Sequence, residues 1–371
     1  MFVKLKDISK VVGGATPSTQ MPEYYNGNIV WITPKDLAEN KSSKYIEKGE
    51  RNITKLGYEK SNTYMIQPYN ILISTRAPIG YMAINRKECC TNQGFKSLIC
   101  DTNKVNVDFL YYLLKTKVKA LESLGTGTTF KEVSKDAVEN FEINLPQLEI
   151  QDKIANILSN IDNQIERNNA MTKRLQVLGN TIYSNYAKSQ KNTFNIQEKA
   201  EITWGQCPLG ENLLDNPNEK SIKYASGAGD IDENILSVIP KGFTDTPLRI
   251  AKEKDICISV AGTVGKIGIS TEDIAIGRAM LSIRNSDLYG YLYFAINTYK
   301  DILSKQATGA IQKIINNSHL EIINIPLENK EIVNILNHIL DEIIRIEKNT
   351  KELNILKNKL LPLLINGQLE V

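Results

Sequence analysis

The sequence predicts an α/β (mixed) chain in which two duplicated globular domains are separated by two long antiparallel coiled-coil helices, the halves being pseudo-two-fold symmetric. Three observations carry this reading. A set of short motifs recurs in the same order about half a chain later. Each set contains β-rich runs bounded by Gly, Pro and Asn. Each set also ends in a proline followed by a sustained heptad pattern.

The repeat begins at Ile71-Leu72-Ile73-Ser74, which leads into Ile79-Gly80 and Ile84; displaced by 185 positions, Ile256-Cys257-Ile258-Ser259 leads into Val264-Gly265 and Ile269. Phe109-Leu110-Tyr111-Tyr112 is answered by Tyr291-Leu292-Tyr293-Phe294, Thr126-Gly127 by Thr308-Gly309, and Lys131 by Lys313. Ile143-Asn144-Leu145-Pro146 is answered by Ile323-Asn324-Ile325-Pro326, and Asn156-Ile157-Leu158 by Asn334-Ile335-Leu336, as the displacement drifts to 178. One unit of about half the chain has been duplicated. Within each copy, runs such as Tyr69–Ser74 and Asp255–Val260 read as strands, and stretches near 106–123 and 287–305 read as helices.

After Pro146 the apolar positions Ile154, Leu158, Ile161, Ile165, Leu175 and Ile182 fall on a heptad lattice that Asn168 and Thr172 interrupt. After Pro326 the lattice returns 178 residues later at Ile332, Leu336, Ile339, Ile343, Ile346, Leu353 and Leu360. Shared phase and charged flanks argue a coiled-coil seam. If the seams bury each other the helices run antiparallel, as a strut of roughly 50–60 Å for 35–40 residues at 1.5 Å each. The alternative is that each helix packs on its own domain. The expected organisation is domain one over 1–146, a central helix over 147–187, domain two over 188–326 and a C-terminal helix over 327–371.

Composition narrows the function. The 371 residues, at about 100–200 per domain, suggest two or three units. Lys+Arg number 45 against 42 Asp+Glu, so the net charge of +3 excludes a wholly basic coat but permits a local basic face. No apolar run is long enough for a spanning helix, and MFVKLKDISK lacks a signal-peptide core, so a cytoplasmic protein without membrane contact is expected. Five cysteines (Cys89, Cys90, Cys100, Cys207, Cys257) without CxxC spacing read as free thiols. Only His319 and His338 are present, and both read as structural or surface residues. The chain is poor in the usual zinc ligands and hydrolytic groups.

Enzyme motifs fail on inspection. Ala261–Ile267 imitates a phosphate loop but lacks the first glycine and the Ser/Thr after lysine. Its repeat partner, Arg76–Tyr81, marks it as a turn between strands. Gly125-Thr126-Gly127 misses the third glycine of a dinucleotide fingerprint, Asn216-Pro217-Asn218-Glu219 lacks the proline and aromatic of an amino-methyltransferase, and Glu39-Asn40-Lys41 has no partner aspartate. The chain reads as one that binds rather than catalyses.

Polar side chains in loops are the positive signal. Domain one offers Thr33, Lys35 and Asp36 after Trp31, then Arg76, Gln93, Lys96 and Lys131; domain two offers Lys266, Arg278, Gln312 and Lys313. Arg and Lys grip guanine edges or phosphates, whereas Asn and Gln suit adenine. For any one of these residues a solvated surface role is the competing reading. Trp31, Trp204 and the tyrosines at 111–112 read as core rather than stacking platforms.

With these motifs in order, the whole chain resembles the specificity subunit of type I restriction–modification systems. The resemblance rests on Gly13–Ser18, Tyr24–Gly27, Trp31–Leu37, Ile73–Gly80 and Thr91–Phe95 in the first half, and on Gly205-Gln206-Cys207-Pro208 in the second. The second half departs: it lacks the Trp-Ile-Thr-Pro-Lys-Asp element, and Gly277-Arg278-Ala279-Met280 replaces Asn-Gln-Gly-Phe. The resemblance implies two target-recognition domains, each reading one half-site of a bipartite double-stranded DNA target, and no catalysis or cofactor in this chain. It also implies two methyltransferase subunits holding S-adenosylmethionine, and two restriction subunits, with ATP and Mg, that the complex can recruit. An adaptor that holds two protein partners at fixed spacing without reading DNA is the alternative from another class.

Overall fold

The computed structural model describes residues 1–371 apart from 41–42, 77, 128–130, 234, 308–313 and the side chain of Glu211. The chain forms two compact units, Met1–Glu166 with Leu353–Val371, and Arg167–Glu352. Both are built to one plan.

In the first unit, Phe2–Lys4 pairs antiparallel with Glu142–Asn144, so the start of the domain is stitched to its end. A five-stranded sheet runs in the order Ser9–Gly13, Lys96–Cys100, Ile71–Ile73, Met82–Asn85, Tyr45–Ile46. Ile71, Leu72 and Ile73 are buried on both faces, which is why this strand reads as an unbroken apolar run. One face is covered by the helix Val107–Thr116, started by Asn106, whose side chain accepts from the Phe109 N–H. Phe109, Leu110 and Tyr112 of that helix close the core over Ile71 and Leu98. A second, three-stranded sheet orders Arg51–Ile53, Tyr25–Ile32 and Cys89–Thr91.

The second unit repeats this. Thr193–Asn195 pairs with Asn324–Pro326, and a six-stranded sheet orders Glu201–Trp204, Met280–Arg284, Ile256–Ser259, Ile267–Ile269, Ser237–Val238, Ile231–Asp232. A five-stranded sheet orders Leu213–Leu214, Gly242–Thr244, Ile222–Ala225, Ile274–Ile276, Ile250–Ala251. The helix Tyr289–Gln306 takes the covering role. Register proves the equivalence: Ile71 faces Leu98, and 185 residues on, Ile256 faces Ile283.

That register supplies a counterpart the sequence comparison did not find for Trp31–Leu37. Ile32 pairs in parallel with Thr91, and Ala225 pairs in parallel with Ile276. After Ile32, Asp36 Oδ2 accepts from the Thr33 N–H at 2.7 Å and the Thr33 hydroxyl at 2.6 Å. After Ala225, Asp230 Oδ2 accepts from the Ser226 N–H at 2.7 Å and the Ser226 hydroxyl at 2.9 Å. The motif changed its letters and kept its cap.

The long helices run over Leu148–Ser189 and Lys330–Ile365. Within each unit they are antiparallel. In the first, Asp162 pairs with Lys357 at 2.6 Å. In the second, Asn168 Nδ2 donates to Asn349 and Thr350, and the Thr172 hydroxyl donates to Glu347 Oε1 at 2.9 Å. Both readings of the seam hold at once: Ile154 and Leu158 share a core with Phe109 and Leu364, while Leu336, Ile339 and Ile343 share one with Leu292 and Tyr183. The interruption at Asn168 and Thr172 is answered from the opposite helix by Glu347 and Thr350, all four buried. Ile346, placed on the seam by the heptad count, is only half-buried. A polar layer displaces the lattice by one residue there.

Candidate nucleic-acid interface

Three segments meet at one end of the first domain's sheet. The strand Ile71–Ile73 runs into a turn held by Ser74, whose hydroxyl donates to the Pro78 carbonyl at 2.6 Å and accepts from the Tyr81 N–H at 2.9 Å. Gly80 closes the turn at φ +87, where a Cβ would also strike Val118. The segment after Asn92 crosses beside it: Gly94 accepts from the Thr75 N–H at 2.7 Å. A third segment lies on the other side, since Val133 donates to Thr75 and Arg76 bridges Glu132.

The second domain is framed identically. The Ser259 hydroxyl donates to Thr263 at 2.7 Å and accepts from the Lys266 N–H at 2.9 Å, Gly265 stands at φ +85, Val260 donates to Ala279, and Ile315 donates to Val260. Ala261 bridges Ile314. The phosphate-loop lookalike is therefore this serine-locked turn, as the repeat indicates. By strand register Arg76 corresponds to Ala261, Gln93 to Arg278, Lys96 to Leu281, Glu132 to Ile314 and Gly13 to Trp204.

In the first domain Arg76 and Lys96 share one counter-ion. Arg76 Nε donates to Glu132 Oε2 at 2.8 Å, and Lys96 Nζ lies 3.3 Å from Glu132 Oε1. Partial burial pushes the Glu132 carboxyl up, but the Arg76 hydrogen bond and the Lys96 and Arg76 charges outweigh it, so the group sits below its ordinary value. Gln93 contacts the Thr16 hydroxyl through Oε1. Lys131 is exposed beside this group. Thr33 and Asp36 are held in their cap, with Asp36 Oδ1 also accepting from the Glu50 N–H at 2.7 Å. Exposed Lys35 pairs with Glu50 at 2.8 Å. The structure thus gathers Arg76, Gln93, Lys96 and Lys131 and sets Thr33 and Asp36 to work on the backbone.

In the second domain Lys266 Nζ donates to the Ala228 carbonyl at 3.3 Å, and exposed Arg278 borders an open cavity of about 790 Å³. Gln312 and Lys313 lie outside the described residues. Trp31 is core, with its Nε1 donating to the Ala15 carbonyl at 3.1 Å; Tyr111 and Tyr112 are core as well. Trp204 is not: it is half-buried and walls the cavity. Glu132, Trp204 and Ile314 belong to these surfaces although sequence reasoning passed over Glu132 and Ile314 and placed Trp204 inside. For Glu132 the available signal was its place beside Lys131 in the repeated motif.

The five cysteines are free. Burial pushes the Cys89 thiol up to about 12 and Cys90 to about 11, so neither is a ready nucleophile. Among the described residues no group of His, Cys, Asp and Glu could hold a metal ion, and no helix is long and apolar enough to cross a membrane.

Comparison with known proteins places this geometry in a family. The profile described as "Type I restriction modification DNA specificity domain" matches residues 1–177 and 188–356. The "Type I restriction enzyme MjaIX specificity subunit" of Methanocaldococcus jannaschii is 38% identical over 220 residues, which is 57% of this chain and 50% of that protein. The chain therefore spans about half the length of that relative in the match. The "Putative type I restriction enzyme MjaX specificity subunit" of the same organism is 28% identical, covering 99% of this chain and 93% of that one. A solved S subunit of a type I restriction–modification system from M. genitalium superposes with TM-score 0.66 at 16% identity, over 98% of this chain and 95% of that one, a likeness of fold. With both halves matched and both built on the same serine-locked framework, the chain belongs to the family of type I restriction–modification DNA specificity subunits.

Proposed function

We propose that this chain is the non-catalytic, sequence-reading subunit of a type I complex, with domain one (1–146) and domain two (188–326) each reading one half-site of a bipartite target. The observation that carries the reading is an identical backbone frame with different side chains at its tip. Arg76, Gln93 and Lys96 stand where the second domain has Ala261, Arg278 and Leu281. A shared frame with divergent tips suits two readers of different sequences. Residues Arg76, Lys96, Lys131, Lys266 and Arg278 supply cations for phosphates and base edges, and Gln93 an amide for adenine. Gln312 and Lys313 would act with them in domain two. Lys35 would touch phosphate at most, since Glu50 already holds it.

The helices carry a matching pair of features for partners. Val177 and Leu178 are exposed on the first long helix, and Ile355 and Leu356, 178 residues later, are exposed on the second. Ile157 and Ile335 form a further exposed pair at the same displacement. Equal apolar positions in both copies support two equal partners, which we assign as two methyltransferase subunits holding S-adenosylmethionine. Two restriction subunits using ATP and Mg would join through that assembly.

Exchanging residues 1–146 for the equivalent domain of a related chain tests the modular reading. The assembled complex is then used to methylate DNA, and modified bases are mapped. One half of the motif should change and the other should persist. Change in both halves, or in neither, would refute it.

A further inference from the structure

The tips of the two domains differ in kind. Around the first tip stand Arg76, Glu132 and Lys96, two cations and their shared carboxylate, with Gly13 leaving the adjacent strand bare. At the same register positions the second tip carries Ala261, Ile314, Leu281 and Trp204. All three ionic groups are gone, and an indole has replaced a hydrogen atom. Leu281 is fully buried, but Ile314 is 47% exposed and Trp204 half-buried. Trp204, Val260, Ala261, Ile314 and Ile315 line the open cavity of about 790 Å³, with Arg278 on its border.

An apolar wall selects by what it can tolerate. Pressing a base-edge donor or acceptor against it leaves that group without water or partner, which is unfavourable. In the major groove one base presents an apolar group, the C5-methyl of thymine. Arg278, standing where the first domain has Gln93, supplies the cation that brings a phosphate or guanine to the border of the wall.

Resting on the DNA-reading function proposed above, we propose that the second domain recognises a thymine through its C5-methyl group, packed against Ile314 and Trp204, at the position where the first domain uses the Arg76–Glu132–Lys96 cluster. The half-site of domain two then contains an A·T pair whose thymine methyl contributes to affinity.

The test uses the full chain assembled with its methyltransferase subunits and duplexes carrying the mapped target. The half-site belonging to domain two is identified by the domain exchange. Thymines in each half-site are replaced separately by deoxyuridine, which removes the methyl and keeps every hydrogen-bonding group. Affinity for the domain-two half-site should fall about fourfold per buried methyl, the ratio that corresponds to about 0.8 kcal/mol for one carbon. Ile314→Ser, at an exposed position, should erase the difference between thymine and deoxyuridine while the complex still binds its target. Specific binding with no loss on deoxyuridine substitution would overturn the inference and leave the DNA-reading function standing. A domain-two half-site without thymine on either strand would overturn it equally. Failure to bind any sequence preferentially would remove the reading on which it rests.

Discussion

Glu347 is the side chain whose burial has the clearest thermodynamic signature. It sits 2% exposed in the polar layer of the second unit, one carboxylate oxygen accepting from Thr172 and the other without a partner in the structure. Burial pushes its carboxyl up to about 7; the Thr172 hydroxyl and Lys351, on its own helix, oppose that, and Asp232, from the domain, reinforces it. In the unfolded chain the group returns to about 4.3. Between these values the folded form holds a proton the unfolded form has released, so stability falls as pH rises through this window. At 1.36 kcal/mol per pH unit the full effect is roughly 3 kcal/mol, present below the window and lost above it. Glu347→Gln keeps the shape and removes the charge. It should leave stability near pH 4 unchanged and raise it near pH 8 by up to that roughly 3 kcal/mol, on the order of 100-fold in the opening equilibrium. A two-unit chain has no single unfolding free energy, so hydrogen exchange of peptides covering 168–176 and 343–351, corrected for intrinsic pH dependence, is the suitable assay. Equal pH dependence in the wild type and Glu347→Gln would refute the reasoning.

Further outcomes follow from the tip and the helices. If Arg76 reads a base edge, Arg76→Ala should relax one position of the domain-one half-site at a cost of about 1–3 kcal/mol; if Lys96 holds a phosphate, Lys96→Ala should weaken binding to all sequences and flatten the salt slope by about one. Wild-type affinity and slope in both variants would refute those roles. Aspartate at Val177 and Leu178 should leave the complex with one methyltransferase subunit, as should aspartate at Ile355 and Leu356, while changing all four leaves none; native mass spectrometry counts them, and two subunits throughout would exclude these pairs as docking points.

Much of the fold was legible because duplication shows every signal twice. Ile71–Ser74 alone is an ambiguous apolar run, but its partner at 256–259 fixes it as a strand before a turn. The cap at Ser226–Asp230 was not legible, because backbone geometry tolerates any short hydroxyl with an aspartate three or four residues on. The polar layer was half legible. Asn168 and Thr172 broke the heptad visibly, whereas Glu347 and Thr350 lay one position off an otherwise intact row of isoleucines. At the tips, the cations could be listed from sequence, but their shared carboxylate at Glu132 depends on a bridge across more than fifty residues. Trp204 misled because tryptophan is mostly buried, and only register places it opposite Leu281 at the edge of a cavity.

The serine lock has a consequence for how such a protein changes. Ser74 and Ser259 hold their turns through main-chain partners alone, Pro78 and Tyr81 in one case, Thr263 and Lys266 in the other. None of those bonds consults the side chain at position 76 or 261. The frame is therefore indifferent to what is written on it: an arginine and an alanine already occupy the same place on two copies of one backbone within a single molecule. A lineage can revise one half of its target letter by letter, keeping the other half as an unaltered reference, with no stage at which the fold must be renegotiated.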